Sequence, residues 1–499
     1  MNNNAQHPVL DKPFQTPALE LEQSQDLNSP REHENRGPSS RWSIFPQEIR
    51  LMILEIIFAM QSKDTPQEKS RLASVSAEWQ TFFEKRNFKS LKLERLHDID
   101  KLRDFVGPRR QMYVSQIWLH VSLATYTSEE FCKEEDDEEI LHNNGIFDKH
   151  FKSLLRTLSK WQLGYGDEDH FGIHLHFFAD SPEDDYHPFK GDDDPDEPYD
   201  NLEPADLLGA RKRLMGNLLD FKNATPTSSL TSLAETGCPV VPRVPVVKKF
   251  SVTDVCYRSL SADAIRFLLL SLDNLEIIEY EPWRGIDQID RSRRDKANMA
   301  LLESLPPTVK RVKLWEARHD NLHEPSEDPG PNRDIARAAA LGCSRLVSFS
   351  SLNVLDAAHF LDEVIQLSMP PMMECFDRWS SLEAVALTSP LLDSTLDEAY
   401  TQGLLQRAAA AAMHLPNLKV MELWKTWKND AILFRYEVSG HTVEISHGAS
   451  WDFKLCQDVL NAWEGVAKHH GNLFFDIQLK VLDILASAII YDTLRVNSW

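Results

Sequence analysis

The sequence predicts an α/β protein: a short helical module, then a long body of repeated strand–helix units, then a β-hairpin followed by helices. Three observations predict this organisation. Residues 42–60 (WSIFPQEIRLMILEIIFAM) are unusually apolar. A spacing of apolar residues of the form LxxLxL recurs between residues 88 and 423. Two alternating apolar stretches flank Ser439-Gly440, a pair that suits a two-residue hairpin turn.

Composition and charge narrow the class of protein. The 499 residues, 42% hydrophobic and 26% charged, suffice for two or three globular domains. A formal net charge of −23 disfavours binding to nucleic acid or anionic membranes, because both are negatively charged. The six cysteines are widely spaced without a CxxC pair, so neither a zinc site nor a disulfide scaffold is expected. With no signal-peptide pattern and no apolar run of roughly 20 residues, we expect a cytoplasmic or nuclear protein that needs no metal or cofactor.

Three short helices are predicted over residues 41–87, after a disordered tail at residues 1–40 that is rich in Asn, Gln, Pro and Ser. Pro46 suits the first turn of the first helix, where its missing N–H is not needed. Thr65 and Glu68 form a capping box that starts the second helix. Aromatic residues after residue 78 mark the third helix.

The first helix is apolar on more than one face, since Glu55 is the only polar residue between residues 51 and 60. A helix that is apolar all round must be covered all round. About 45 residues can bury one of its faces but not both, so the other must be covered by the adjoining repeats or by a partner protein. One face comprises Ile49, Met52, Ile53, Ile56, Ile57 and Met60, and the second comprises Leu51, Leu54 and Phe58.

The body, predicted to span residues 88–425, repeats one unit. The first residues of its last five copies are 34, 37, 36 and 36 positions apart, and such near-constant spacing indicates one structural unit per period. Each copy predicts a short strand with one buried face, followed by a helix. Units of this kind stack into a curved solenoid with a parallel sheet inside, although an ordinary α/β sheet with repeated crossovers is the alternative. The copies are Phe88/Leu91/Leu93, Val114/Ile117/Leu119, Val247/Phe250/Val252, Leu275/Ile278/Tyr280, Val309/Val312/Leu314, Leu346/Phe349/Ser351, Leu382/Val385/Leu387 and Leu418/Met421/Leu423.

Other segments depart from the repeat. Acidic stretches near residues 129–139 and 180–205 are predicted to be solvated insertions, because blocks of like charge repel one another. Residues 426–499 are predicted to cap the body with a hairpin (431–438 and 441–446), an amphipathic helix around residues 453–466 and a last helix from Leu479 to Ile490.

Strand residues between the buried repeat positions are predicted to line a concave face and to bind cargo, because aromatic anchors are frequent at binding hot spots. Tryptophan is equally suited to packing over strand ends. His174 and His176 have no cysteine or carboxylate at ligand spacing, so exposed histidines are favoured over a metal site. No nucleotide-binding, esterase or zinc-protease motif occurs, and no catalytic residue is predicted. The candidate cargo residues are Trp118, His120, His174, His176, Trp315, Glu422 and Trp424.

Three elements follow one another in the helical module: Phe45-Pro46-x-Glu48-Ile49, Ile53-Leu54-x-x-Ile57 and Leu72-Ala73-x-Val75-Ser76-x-x-Trp79. With these elements in this order the module resembles an F-box, and the body is similar to leucine-rich repeats, though without their regular Asn or Cys after the strand. Phe45 replaces the usual leucine of the F-box, and Ala77 stands where Arg or Lys is frequent. Together the two parts resemble fungal F-box proteins whose C-terminal region is uncharacterised.

The resemblance implies that the module binds a Skp-type linker and, through it, a cullin–RING ubiquitin ligase. Such an adaptor is not an enzyme; it holds cargo near the ubiquitin-conjugating enzyme and so raises the effective concentration. A ligase-independent scaffold that uses the module internally remains an alternative, as does an enzyme with a site in the concave face. The implied linker contacts are Phe45, Pro46, Ile49, Ile53, Leu54, Ile57 and Trp79.

Overall fold

The structure, a computed structural model, describes a mixed α/β chain that divides into two compact units. The first unit contains the described residues up to Trp118, and the second begins at Leu119. The predicted tail at 1–40 and most of the acidic stretch 180–205 lie outside the described residues. Those described are 41–60, 71–162, 172–187, 203–221, 242–318, 332–369, 378–427, 430–440, 442–471 and 478–481.

The first unit is mainly helical and is built around a small aromatic core. Leu54, Phe82 and Phe83 are buried at its centre. Around them pack six partly buried side chains: Trp42, Ile57, Phe58, Leu72, Ala73 and Trp79. The predicted start of the second helix at Thr65 lies outside the described residues. The elements of the first unit are a 3-10 turn (Arg41–Ile44), α1 (Gln47–Met60), α2 (Ala77–Asn87), β1 (Ser90–Leu93), α3 (Leu96–Phe105) and α4 (Pro108–Gln111).

This unit extends beyond the predicted boundary at residue 87. The buried Glu84 of α2 accepts a hydrogen bond from Arg110 at 2.8 Å. Arg109 reaches back to the Thr81 hydroxyl at 2.9 Å. These contacts join α4 to α2, so the segment that follows the helical module belongs to the same compact unit.

The second unit is a large sheet with helices between most of its strands. The strands are β2 (Gln116–Ser122, divided between the units), β3 (Ile173–Asp180), β4 (Leu218–Leu219), β5 (Val247–Val252), β6 (Ser259–Leu260), β7 (Ile277–Tyr280), β8 (Arg311–Trp315), β9 (Ser348–Leu352), β10 (Ala384–Thr388), β11 (Val420–Trp427), β12 (Asp430–Ser439), β13 (Thr442–Ala449) and β14 (Gln478–Val481). The helices are α5 (Asp137–Leu158), α6 (Pro204–Met215), α7 (Ala262–Ser271), α8 (Gln288–Glu303), α9 (Arg333–Gly342), α10 (Ala357–Leu367), α11 (Glu398–Ala412) and α12 (Gln457–His469).

Strand order in the sheet follows chain order. From β2 it runs β2-β3-β5-β7-β8-β9-β10-β11-β12-β13-β14, while β4 and β6 form a separate two-stranded sheet. The pairs from β3 to β11 are parallel, and β12 is antiparallel to both β11 and β13. Parallel neighbours need a crossover connection. Helices α7 to α11 supply these crossovers between β5 and β11, and α12 supplies the one between the parallel strands β13 and β14. Each of these helices packs beside the next.

The predicted strands of the repeated unit are confirmed. In all eight copies of the spacing, the last two positions lie in a described strand, and all sixteen side chains are buried. Even Ser351, the one polar residue at such a position, is buried. The register aligns these positions in neighbouring strands, for example Val312 with Phe349 and Phe349 with Val385. They therefore form the continuous face of the sheet that is closed from solvent.

Most acidic side chains of residues 129–139 are exposed, but Glu135 departs from the predicted solvated insertion. Glu135 is buried and pairs with Arg258 at 2.9 Å, while Asn143 and Asn217 donate to its two oxygens. Arg213 donates to Glu139. We call these contacts of Glu135 and Glu139 the acidic joint, because they attach the acidic run to the rest of the fold.

The predicted C-terminal hairpin is confirmed, but Ser439, predicted to lie in its turn, is the last residue of β12. Ser439 of β12 pairs with Thr442 of β13, and Gly440 between them has a positive φ of 62°, which a turn favours in glycine. The prediction of a helix starting at Leu479 is wrong. Residues 478–481 form β14, which pairs in parallel with β13 because the hairpin leaves that strand edge open.

Replacing Arg258 with Ala should lower the free energy of unfolding by about 3–5 kcal/mol, because it leaves the buried Glu135 carboxylate without its cation. Chemical denaturation measures this loss. The matched control is Lys454→Ala, which breaks an ion pair with Asp452 whose side chains are both more than 80% exposed, and should cost less than about 1 kcal/mol. Equal losses in the two variants would contradict the structural role of the joint.

Candidate functional site

The outer surface of α1 is the most apolar exposed feature of the first unit. Met52 is 59% exposed, Ile56 56% and Met60 80%, with Ile49 one turn earlier also exposed. Their spacing places these residues in one stripe along the helix. Ile44 and Phe45, just before the helix, are exposed as well. We call Ile44, Phe45, Ile49, Met52, Ile56 and Met60 the α1 surface; exposed apolar patches of this kind mark interaction sites.

The opposite side of α1 packs within the module. Leu54 has no exposed area and contacts the Phe82–Phe83 core. The Phe58 ring lies 6.3 Å from the Phe83 ring, a distance typical of packed aromatic pairs. Glu55 pairs with Arg86, so the single polar residue of the segment also has a partner inside the unit. The described residues thus cover one face of the helix and leave the other in solvent.

The predicted linker contacts divide between these two sides. Phe45, Pro46 and Ile49 are exposed, and Ile53 is partly buried. Leu54 is corrected from a linker contact to a core residue, because no part of its side chain reaches solvent.

Two further predicted contacts also pack against the core. Ile57 borders the Phe82–Phe83 cluster. The Trp79 ring lies 5.6 Å from Trp42 and 5.8 Å from Phe83. Their contribution is to hold the module together. Met52, Ile56 and Met60 were not among the predicted contacts, although the i, i+3, i+7 spacing from Ile49 was the signal that would have found them.

A clamp of three side chains holds the start of α1 against α2. Glu78 accepts hydrogen bonds from the Trp42 indole N–H at 2.8 Å and from Arg50 Nε at 2.9 Å. Arg50 also donates to the Phe45 carbonyl at 3.1 Å. The hydrogen bond from Trp42, followed by Arg50, lowers the pKa of Glu78, so its carboxylate is charged at neutral pH. No local sequence pattern predicts this clamp, because Glu78 lies 28 residues from Arg50 and 36 residues from Trp42.

The prediction of cargo binding is wrong for three residues, because these are buried. Trp315, Glu422 and Trp424 are almost fully enclosed. The two indole rings, from β8 and β11, meet edge-on at 6.1 Å above the intervening strands β9 and β10. Small residues there, such as Ser350, which accepts a hydrogen bond from Trp315 at 3.0 Å, leave room for this closure. The tryptophans therefore pack over strands, the alternative that the sequence left open.

The three predicted cargo histidines lie on the adjacent strands β2 and β3 and are partly buried. His120 on β2 is 2.6 Å from the Asp180 carboxylate. His174 on β3 is 2.5 Å from the Ser251 hydroxyl, and the centroid of its ring lies 3.5 Å from that of the tilted His176 ring. Burial lowers the pKa of His174 to about 2 and that of His176 to about 4, so both rings are neutral at pH 7. Trp118, in the first unit, is 37% exposed.

The described part of the chain contains no group of three or more potential ligands that is placed to hold a metal. A cleft of about 200 Å³ lies beside the acidic joint and is lined by Tyr126, Glu139, His142 and Arg213 among others. Arg213 donates a hydrogen bond to Glu139, and the Tyr126 hydroxyl donates one to Asp184 at 2.7 Å. This pairing supports a structural role for the cleft.

The stability of the protein should fall as the pH is lowered from about 6.5 to about 4. An unfolded histidine takes up a proton near pH 6.5, whereas folded His174 and His176 do so only at much lower pH. Protons therefore favour the unfolded state in this window, and the effect is absent above it. Denaturation at several pH values should show a smaller decrease for His174→Asn/His176→Asn. Imidazole NMR signals from these two residues that titrate near pH 6.5 would refute this.

The comparisons with known proteins concern the C-terminal part of the chain. Residues 304–496 match a family of unknown function, DUF6546. No curated protein matches the chain. None of the described helices is long and apolar enough to cross a membrane. The segment from β8 to β14 is thus similar to a family that has no assigned function.

Proposed function

We propose that the protein is a substrate-recognition adaptor of a Skp–cullin–F-box type ubiquitin ligase. The helical module binds a Skp-type linker through the α1 surface, and the sheet unit binds protein cargo. One observation carries the proposal: α1 has a closed core on one side, yet Met52, Ile56 and Met60 are each more than half exposed on the other.

Burial of this surface by a partner is favourable. Enclosing one aliphatic side chain of this size contributes about 1.5–3 kcal/mol. Apolar residues at i, i+3 and i+7 are the pattern by which a helix docks into an apolar groove. The order of the F-box-like elements, with Phe45-Pro46 directly before the helix, supports a Skp-type linker as the partner.

The body is proposed to be an irregular solenoid similar to leucine-rich repeats. Parallel strands follow each other in chain order, and helices α7 to α12 pack as successive neighbours. Both features are typical of repeat units in which each unit contacts the next. Such solenoids present one long sheet surface for binding.

Cargo binding is proposed on the sheet surface around His120, His174 and His176. The neighbouring strands add charged groups, which are paired across strands: Lys249 with Glu279 at 2.8 Å. A surface of partly buried imidazoles and paired charges suits a polar segment of a protein better than an apolar one.

Replacing Ile49 with Asp should weaken binding of the intact protein to a purified Skp-type linker by at least about 30-fold, because a charge enters an apolar contact. Calorimetric titration measures the affinity, and thermal unfolding verifies the fold. Ile289→Asp, at an exposed isoleucine on α8, is the matched control and should bind as the wild type does. A wild-type protein that fails to bind the linker would refute the adaptor function and favour the ligase-independent scaffold.

Removing two of the cargo histidines should change what the protein binds without changing how it is recruited. Proximity labelling in the native host should recover a set of proteins with the wild type that is lost with His120→Ala/His176→Ala. Labelling of the linker should be the same in both. An unchanged set of labelled proteins would contradict cargo binding at this surface.

A further inference from the structure

Two members of the α1 surface, Ile44 and Phe45, lie at the end of the four-residue 3-10 turn Arg41–Ile44 and directly after it, where little local structure holds them. Short 3-10 segments have weak hydrogen-bond geometry, and helix starts lack intrahelical partners for their first N–H groups. Phe45 is nevertheless fixed on both sides of its backbone. Its N–H donates to the Trp42 carbonyl at 3.3 Å, and its carbonyl accepts from Arg50 at 3.1 Å.

Both residues that restrain the Phe45 backbone are also hydrogen-bonded to Glu78. Trp42 and Arg50, which hold the two sides of Phe45, each donate to one oxygen of the Glu78 carboxylate. Glu78 lies in the first turn of α2, where the helix N-terminus favours a negative charge. We propose that Trp42, Arg50 and Glu78, hereafter the Glu78 clamp, are positioning residues that hold Ile44 and Phe45 in place on the linker-binding surface.

The division of roles within the unit supports this assignment. The Trp42 ring packs on Trp79, so the clamp connects the turn to the aromatic core as well as to α2. The exposed Phe45 side chain takes no part in these bonds. They restrain its backbone, and 45% of the residue stays exposed to a partner. A surface that is ordered before binding avoids the entropic cost of ordering it on contact, about 2- to 10-fold in affinity for each immobilised side chain.

The clamp itself is tested without any partner, by hydrogen exchange of the full chain. In Glu78→Ala, the Phe45 amide should exchange faster than in the wild type, because Trp42 and Arg50 lose their common acceptor. Trp42→Phe keeps an aromatic ring against Trp79 but lacks the indole N–H, and should give an intermediate rate. The control is Glu84→Gln on the same helix, which weakens the ion pair with Arg110 and should leave the Phe45 amide unchanged. Unaltered exchange in both clamp variants would overturn the proposal.

The consequence for binding rests on the proposed function and is measured separately. The affinity of Glu78→Ala for the purified Skp-type linker should fall about 10-fold, and that of Trp42→Phe by less. Glu84→Gln should lower the melting temperature without changing affinity. If the wild type binds and Trp42→Phe and Glu78→Ala bind equally well, the positioning role is refuted. If the wild type itself does not bind, the adaptor function fails, while the exchange result still decides whether the clamp orders Phe45.

Discussion

Packing of Leu54 against Phe82 and Phe83 is the contact on which the first unit depends. This packing buries one face of α1 and leaves the other exposed, although both faces are apolar in sequence. Once Leu54 faces this core, helical geometry places Met52 and Ile56 on the outer side. The exposed stripe is therefore a direct consequence of a core too small to surround the helix. The adaptor proposal depends on that asymmetry.

Acidic residues have a structural use in this strongly acidic chain. Glu78, Glu84 and Glu135 each bind an arginine, and in each case the two partners are distant in sequence. Glu84 and Glu135 are buried, and a buried carboxylate is stabilising only while its partner is present, because an unpaired buried charge is costly. Charge pairs thereby fix how helices meet, and the clamp at Glu78 extends the same principle from the core to a binding surface.

The sheet unit shows how residue size decides which surface stays open. Above β9 and β10, small side chains such as Ser350 allow Trp315 and Trp424 to meet and close that part of the sheet. On β3, by contrast, the rings of His174 and His176 remain partly exposed. The proposed cargo surface is accordingly restricted to the part of the sheet near β2, β3 and β5.

The sequence by itself determined the repeated strands, the hairpin and the apolar first helix, because these follow from local periodicity: a period of two in a strand, 3.6 in a helix and about 36 between units. Tertiary structure alone decided which of these residues meet. It buried Leu54 and Trp424, folded the acidic joint around Glu135 and made residues 478–481 a strand instead of a helix. Each of these outcomes depends on a partner far along the chain, and neither hydrophobic periodicity nor local charge carries information about so distant a contact.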